Sequence, residues 1–426
     1  MSRKHLYLYL TFAVLATTVF SWFRINSLCI ILLAAYKLWE NKPLPAVKAA
    51  FTNKFVIAYL VFFLVEAVGL LHTHNMKAGG DALSKDATLV AIAFTLCAGT
   101  FVDERGYKQV MTGYCGILLA ASLYCLVVAT RNYLSTRDIA VFFYHPLTAC
   151  ISQNAVFYSV YVLFGALYLL TPGGILILPE SWKAVRRPLQ ICLVVFFGGM
   201  IVLLSSKLIL VIFLIIVIVS LTKNYSARRD WKLLLVVAII AFALTGVLAV
   251  TNNPIKSRFQ ELMAGDLELV KKDRFAPGDS FNALQIRMLE LRFAWAILNE
   301  QHAWLFGVTP GDSQDLLDRK YINANMYIGN PADGPHRKIR GFIGYNFHNQ
   351  YVETLVRDGI LGLAALLAIF WLLAGMVWKW KTRLAFFTVL TLFVFFIPEA
   401  PLTMQQGIFL FCFFPLFLLH SPKRTD

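Results

Sequence analysis

Residues 344–362 read GYNFHNQYVETLVRDGILG and join a long polar segment to a strongly apolar one. The polar side places His348 directly before Asn349 and three residues before Tyr351. The apolar run that follows, at about residues 354–377, has the length that crosses a bilayer, roughly 20 residues. A cluster of His, Asn and Tyr therefore lies where a membrane helix meets an extramembrane loop. Groups that arrive from water and from lipid can both reach such a place.

The rest of the chain indicates a helical membrane protein. Hydrophobic residues make up 58% of its 426 residues, more than the roughly half that is usual in soluble domains, and they fall in runs of roughly 15–20. We predict an all-α polytopic membrane protein with about twelve transmembrane helices and one large outside loop that contains amphipathic helices. The predicted spans are residues 6–20, 25–39, 55–71, 87–101, 110–130, 155–178, 191–204, 208–222, 233–250, 354–377, 384–398 and 402–420.

Basic residues set the predicted topology. A net charge of +15 would suggest nucleic acid as the partner of a soluble protein, but in a membrane protein Lys and Arg hold cytoplasmic loops inside. With the N-terminus in the cytoplasm, the predicted inside segments carry most of the Lys and Arg found in short loops. We therefore place both termini in the cytoplasm and expect binding to membrane lipid and no nucleic acid. The predicted domains are residues 1–250 with nine helices, the outside loop at 251–353, and residues 354–426 with three helices and a cytoplasmic tail.

The outside loop is predicted to contain an amphipathic helix from Phe281 to Asn299. Arg287 and Arg292 lie on this helix five residues apart, which is about 140° of rotation. A guanidinium group suits phosphate, but only one of the two can face a given site, and the other would pair with Glu290 or face solvent. The apolar residues recur at helical spacing on a face that could lie on the membrane surface, namely Leu284, Met288, Leu291, Trp295 and Leu298.

A polar break divides one long apolar run in the middle of the chain. Ser205-Ser206-Lys207 interrupts the run from Ile191 to Leu221, which is too long for one span and suits two. Lys207 is therefore expected at an outer helix end or in a tight turn at membrane depth. An ionisable group there is a candidate functional residue, and the alternative is a lysine that extends to the outer headgroups.

His348 is the main candidate for proton transfer, because imidazole changes its charge near neutral pH. Asn349 and Tyr351 could orient it or bind a substrate hydroxyl, and the alternative is an interfacial His bonded to a backbone carbonyl. Glu66 lies within a predicted span and could face the bundle interior, whereas Glu399 is expected as an ordinary solvated carboxylate in an outside turn.

Two other kinds of site find little support in the sequence. His72 and His74 have no third ligand nearby, so no metal site is predicted. The chain has no Gly-rich phosphate loop and no Gly-x-Ser-x-Gly motif, so ATP-driven chemistry is not expected.

These segments, in this order, resemble the O-antigen ligase and polymerase superfamily, polytopic enzymes that use undecaprenyl-diphosphate-linked glycans. Residues 205–207 are similar to the Ser-x-Arg-type start of a middle helix, with Lys207 where many members carry Arg. The helix from Arg287 to Trp295, followed by residues 305–312, is similar to the family's Arg-and-Trp helix and Gly-x-Gly turn, which Thr309 interrupts. Residues 348–351 and 358–362 resemble its His-Asn-x-Tyr and Gly-x-x-Gly ending. The resemblance covers about residues 190–375.

The resemblance implies a metal-independent, inverting membrane glycosyltransferase of the GT-C-like class, with no cofactor. It implies catalytic roles for His348 and Arg287, although the essential loop arginine could instead be Arg292. The implied substrate-binding residues are Lys207, Ser206, Arg292, Asn349 and Tyr351.

The resemblance also implies a place in the cell and two substrates. The enzyme is expected in the bacterial inner membrane, with the loop and the active site on the periplasmic side. The expected donor is an undecaprenyl-diphosphate-linked glycan and the favoured acceptor is lipid A-core, which makes the chain an O-antigen ligase of lipopolysaccharide biosynthesis. An O-antigen polymerase and a protein O-oligosaccharyltransferase remain open because they share the donor. A transporter of lipid-linked sugars is the alternative from another class, and the absence of an internal repeat argues against it.

Overall fold

The computed structural model describes residues 3–40, 43–97, 102–171, 173–224, 267–276, 279–329 and 341–420. Within these ranges the chain is helical and contains no strand. The helices are α1 (Arg3–Val19), α2 (Phe23–Glu40), α3 (Pro43–Phe51), α4 (Lys54–Gly69), α5 (Met76–Cys97), α6 (Glu104–Thr136), α7 (Tyr144–Thr148), α8 (Ala155–Leu170), α9 (Arg186–Leu204), α10 (Lys207–Asn224), α11 (Ala283–Glu300), α12 (Ser313–Asn323), α13 (Gln350–Trp380), α14 (Arg383–Phe395) and α15 (Gln405–Phe417).

The helices match the predicted apolar spans. Eleven of the twelve predicted spans overlap a helix, whereas the ninth, residues 233–250, and the predicted boundary at 250/251 lie outside the described residues. By length and composition, four described helices could each cross a membrane: Lys54–His72, Glu104–Thr136, Arg186–Leu204 and Gln350–Trp380. Tyr144–Ile151 and Ala155–Leu170, bent by 81°, form a possible fifth span. The chain is therefore a helical membrane protein, and twelve crossings stay a prediction.

The centre of the membrane part is aromatic. Every residue of α8 from Phe157 to Leu169 and of α15 from Gln406 to Phe417 is buried, and α15 packs against α5, α8 and α14. Two buried tyrosines bond backbone carbonyls of α15, which satisfies hydroxyls that are removed from water. Tyr59 donates to the carbonyl of Phe411 at 2.9 Å, and Tyr161 donates to that of Gln406 at 2.8 Å. These hydrogen bonds fix α4 and α8 against α15.

The predicted break at residues 205–207 is present. Helix α9 ends at Leu204, Ser205 adopts the left-handed conformation with φ 53°, and α10 begins at Lys207. The chain turns here between two apolar helices that pack against each other.

A second, smaller core lies beside α13. Helix α11 confirms the helix predicted from Phe281 to Asn299, and Asn282 caps it reciprocally with Gln285. Its buried face packs with α12 and with residues 267–276 and 342–347 around Leu289, Phe293 and Tyr321. Because Val356 of α13 belongs to the same core, this group of segments, which we call the loop layer, is packed directly on the beginning of α13.

Helix α13 is two helical segments joined at Gly359, whose φ of 65° and ψ of −165° are not helical. The turn after α11 binds this break through its backbone. The N–H groups of Val308 and Thr309 donate to the carbonyls of Val356 and Arg357 at 2.8 and 2.9 Å, and the N–H of Ile360 donates to the carbonyl of Trp304 at 2.8 Å. We call this contact the clasp.

Two glycines allow the clasp to close. A Cβ on Gly307 would lie 2.3 Å from the carbonyl of Arg357, and one on Gly359 would lie 2.3 Å from the carbonyl of Leu305. On its other side the turn is fixed by Asp312, which accepts hydrogen bonds from the N–H groups of His74 and Asn75. The loop layer is thus attached to both α13 and the connection between α4 and α5.

Candidate functional site

His348 lies at the start of α13 and faces α11. Its Nδ1 is 2.9 and 3.1 Å from the two carboxylate oxygens of Glu290 and 3.1 Å from the carbonyl oxygen of Asn346. A carbonyl oxygen only accepts hydrogen bonds, so Nδ1 carries the proton. The side chain of His348 is 26% exposed, whereas that of Glu290 is fully buried. Among the described residues no group bonds Nε2, so the neutral ring presents a free lone pair there.

The pair has shifted protonation equilibria. Burial alone lowers the pKa of His348, but the hydrogen bond and the charge of Glu290 outweigh burial and raise it above its ordinary value. Burial raises the pKa of Glu290, and the hydrogen bonds from His348 and Tyr321 offset only part of that effect. His348 therefore takes up a second proton more readily than a free histidine, and the resulting imidazolium has a fixed carboxylate beside it.

Arg287 lies one turn before Glu290 on α11 and borders the same site. Its Nε and Nη2 donate to the carbonyl of Pro398 at 3.1 and 2.9 Å, and Nη2 lies 3.4 Å from the carboxylate of Glu399. Burial raises the pKa of Glu399, and the charges of Arg287 and His348 counteract part of this rise. We call Arg287, Glu290, His348 and Glu399 the histidine cluster. The cluster combines a fixed cation with a histidine that can accept a proton.

Arg292 contacts a different part of the loop layer. Its Nη1 donates to the carbonyls of Val270 and Lys272 at 2.8 and 2.7 Å, and its Nη2 pairs with Asp273. The two arginines therefore face different surroundings, as their angular separation predicts. Glu290 bonds His348 instead of either arginine.

Asn349 and Tyr351, both predicted to bind substrate, form structural contacts. The side chain of Asn349 accepts hydrogen bonds from the N–H groups of Tyr351 and Val352 at 2.9 and 3.1 Å and so caps α13. The hydroxyl of Tyr351 donates to the carbonyl of Phe393 at 2.8 Å, and its ring packs against Phe370, Phe393 and Phe396. These residues fix the helix that carries His348 at its start.

Ser206 and Lys207 lie where α10 begins, and this helix packs against α14. Ser206 is buried and its carbonyl accepts the N–H of Leu210 at 2.9 Å, while Lys207, partly exposed, begins α10. Helix α10 packs against α14, and α14 ends directly before the turn at Pro398 and Glu399 that holds Arg287.

A second group of charges is buried around Arg357, nine residues after His348 and so about two and a half helical turns away. Of its members, the sequence indicated only Glu66. Nη2 of Arg357 donates to Glu66 at 2.7 Å and to Asp86 at 3.2 Å. Asp358 is also buried, and neither of its carboxylate oxygens has a hydrogen-bond partner in the described part of the chain. We call Glu66, Asp86, Arg357 and Asp358 the arginine cluster. It joins α13 to α4 and α5 and confirms that Glu66 faces the bundle interior.

Glu353 connects the two clusters. It is buried on α13 between His348 and Arg357, and its carboxylate accepts the N–H of Phe347 at 3.3 Å. The backbone of Phe347, directly before His348, is thus hydrogen-bonded to a side chain of α13, the helix that begins just after His348. Ionisable residues in or beside an apolar span are the sequence signal that could have revealed this network. That signal was applied to Glu66 alone among these residues.

The carboxylate of Glu399 is more buried than the sequence indicated. Glu399 was expected to be solvated, yet its side chain is only 18% exposed and lies against Arg287. Across the described ranges, no three His, Cys, Asp or Glu side chains are placed to hold a metal ion.

The comparison with known families agrees with this arrangement. Residues 192–367 match the family model described as O-antigen ligase. The match runs from α9 through the break at 205–207, α11 and His348 into α13, which is the region on which the resemblance rests. The resemblance to the O-antigen ligase and polymerase superfamily is therefore confirmed. No curated protein matches the chain in sequence.

Proposed function

Because residues 192–367 match the O-antigen ligase family model, we propose that this chain moves a glycan from undecaprenyl diphosphate to lipid A-core oligosaccharide. One observation carries the proposal. His348 is held at Nδ1 by the buried Glu290, its Nε2 is free among the described residues, and Arg287 lies beside the pair. This is the arrangement of a general base next to a fixed cation.

In the proposed reaction, Nε2 of His348 takes the proton of an acceptor hydroxyl as that oxygen attacks the anomeric carbon of the donor glycan. The bond from the anomeric carbon to the phosphate oxygen breaks with inversion, and undecaprenyl diphosphate leaves with the bonding electrons. Glu290 stabilises the imidazolium, as a buried carboxylate does in hydrolase triads. Arg287 stabilises the negative charge on the leaving diphosphate.

The remaining predicted residues receive unequal roles. Lys207 supplies a second cation for the diphosphate, with Ser206 beside it. Arg292, Asn349 and Tyr351 support the site, because their polar groups bond segments outside the histidine cluster. The donor is activated by its diphosphate, so the proposed reaction uses neither ATP nor a metal ion.

The proposed topology follows the distribution of basic residues. Twelve helices cross the bacterial inner membrane, both termini are cytoplasmic, and the loop at 251–353 is periplasmic. The domains are then residues 1–250, 251–353 and 354–426. The helical match to eleven of the predicted spans supports this proposal.

An O-antigen polymerase and a protein O-oligosaccharyltransferase would use the same donor and the same site. The ligase is favoured because the sequence has one large loop, late in the chain, in place of two comparable ones. A transporter of lipid-linked sugars would need no base, and the bond between His348 and Glu290 favours an enzyme.

The test is transfer by purified protein in detergent, with lipid-diphosphate glycan and lipid A-core as the only substrates and EDTA present. We expect lipid A-core to gain glycan, and His348→Ala and Arg287→Ala proteins of equal yield to transfer none. His72→Gln, an exposed histidine outside the site, is the matched control and should transfer normally. If the donor is lengthened instead, the chain is a polymerase. If an active donor gives no product with any acceptor, the enzyme proposal fails.

A further inference from the structure

The outward face of α11 is apolar. Leu284, Met288, Leu291 and Trp295 follow one another at spacings of four, three and four residues, and each is between 40% and 62% exposed. The opposite face is also apolar and is buried, with Leu289 and Phe293 in the core of the loop layer. A helix whose outer face contacts water carries polar residues on that face, whereas α11 is apolar on both. We call the four exposed residues the α11 strip.

The strip continues onto a helix that can span the membrane. The ring of Trp295 packs edge-on against that of Trp304, with centroids 4.7 Å apart. The carbonyl of Trp304 accepts the N–H of Ile360 in the clasp. Ile360 and Leu361 are exposed on α13, which is one of the four candidate spans. Exposed apolar side chains therefore extend from α11 to the outer face of α13 as one continuous surface.

Two arginines border the strip. From the rotation of about 100° per residue, Arg287 and Arg292 lie about 70° to either side of its centre. Both side chains are partly exposed, at 29% and 36%. An apolar face flanked by cations is the pattern of a helix that lies in the plane of a bilayer, with its cations at the level of the anionic headgroups.

We propose that the α11 strip is immersed in one leaflet of the bilayer. Helix α11 is then an in-plane membrane helix, and the loop layer contacts the acyl chains through it. The surface that the strip contacts consists of lipid acyl chains. Arg287 and His348 then lie at headgroup depth, where the diphosphate of a lipid-linked donor also lies. The immersion does not depend on the proposed function, whereas its consequence for the donor does.

The test places a nitroxide spin label on the strip in protein reconstituted into phosphatidylethanolamine and phosphatidylglycerol liposomes. Leu291→Cys is the strip variant, and Arg319→Cys, an exposed charged position on α12, is the matched control. The background replaces the exposed Cys192 and the partly buried Cys29 and Cys150 by serine. Collision rates are measured with oxygen, which concentrates in the bilayer, and with a polar nickel chelate, which stays in water.

We expect the label at position 291 to collide several-fold more with oxygen than with the nickel chelate, and the label at 319 to show the opposite preference. Met288→Cys should repeat the result on the same face. A label at 291 that meets the nickel chelate as freely as the one at 319 places the strip in water and overturns the proposal. Shielding from both reagents means that protein covers the strip, either a second copy or another partner, and also overturns it. Neither outcome requires transfer activity, so a failure here is distinct from a failure of the enzyme proposal.

Discussion

The histidine cluster lies at the start of α13 and the arginine cluster lies further along the same helix. The two clusters contain similar groups but differ in their exposure to solvent. Each pairs a basic side chain with carboxylates from other helices. The side chain of His348 is 26% exposed, whereas that of Arg357 is 6% exposed. Only the first can exchange a proton with a substrate that arrives from water. The second is enclosed, and it joins α13 to α4 and α5.

The difference in enclosure predicts different consequences of mutation. His348 is the partly exposed member of its pair, so its loss opens the site to water, and the buried Glu290 keeps its hydrogen bond from Tyr321. A buried pair that loses one member leaves an uncompensated charge in a medium of low dielectric constant. We therefore expect changes in the histidine cluster to affect the rate of transfer, and changes in the arginine cluster to affect stability. The following experiments test this division.

The largest effect is expected from His348→Gln. Loss of a general base typically lowers the rate by about 10²–10⁴-fold, and Gln can still bond Glu290. The measurement is kcat/KM for glycan transfer together with the unfolding temperature in detergent. A variant that is lost from the membrane, with normal activity per folded molecule, would make His348 a structural residue and remove the contrast between the clusters.

Arg357→Met should lower the free energy of unfolding by about 3–5 kcal/mol, because Glu66 and Asp86 lose their buried cation. Arg292→Met is the control and should lose less. Its partner Asp273 is 93% exposed, so the pair should be worth about 0–1 kcal/mol, with about 1 kcal/mol more for its hydrogen bonds to the carbonyls of Val270 and Lys272. Denaturant unfolding in detergent measures both. Neutralising the acids in the Arg357→Met background, with Glu66→Gln and Asp86→Asn, should restore part of the loss. Equal losses in the two arginine variants would contradict the comparison.

Glu290→Gln should change the pH dependence of transfer. A base must be neutral, so the wild-type rate should fall as the pH drops through the raised pKa of His348. Gln removes the charge that raises this pKa, so the acidic limb should move to lower pH. Glu399→Gln should move it the same way and by less, because Glu399 acts on His348 through charge alone. The pH profile of kcat/KM measures the limb, and a rate that instead rises as the pH drops would make His348 a cation that binds phosphate.

The smallest effect is expected in the clasp, which joins the turn after α11 to the break of α13. Thr309 has φ 84°, in a region that costs a residue with a side chain about 1–2 kcal/mol. Thr309→Ala and Thr309→Gly both lose the hydrogen bonds of the hydroxyl to Thr73 and Asp312, but only glycine relieves the strain. The glycine variant should be the more stable by about 1 kcal/mol in thermal unfolding. Equal stabilities would mean that the backbone adjusts at this position.

The sequence predicted those features that depend on neighbouring residues. The break at 205–207, helix α11 with its outward apolar face, and the position of His348 at the start of α13 all follow from local periodicity and helix signals. Of the five residues predicted on that face, four are exposed and Leu298 is buried. The separation of Arg287 from Arg292 follows from helix geometry alone. Thr309 was recognised as an interruption of a glycine turn, and it adopts the left-handed conformation in which glycine is usual.

Features that depend on long-range packing were not predicted. Glu290 is 58 residues from His348, and Glu66 is 291 residues from Arg357, so no local pattern joins them. The hydroxyl of Tyr351 suggested a substrate-binding residue, but the position of this side chain is set by the packing of its ring against Phe370 and Phe396. The break of α13 at Gly359 depends on a partner turn some fifty residues earlier, and a single glycine in an apolar run does not reveal it.

The distance along the chain between Glu66 and Arg357 also has a consequence for biosynthesis. The ribosome makes the two acids of the arginine cluster first and their cation last. At about 5–20 residues per second, on the order of 15–60 s separate the synthesis of Glu66 from that of Arg357. During that interval the two carboxyl groups stand on α4 and α5 without the cation that pairs with them. The ion pairs that join α4 and α5 to α13 therefore form only after α13 has been inserted.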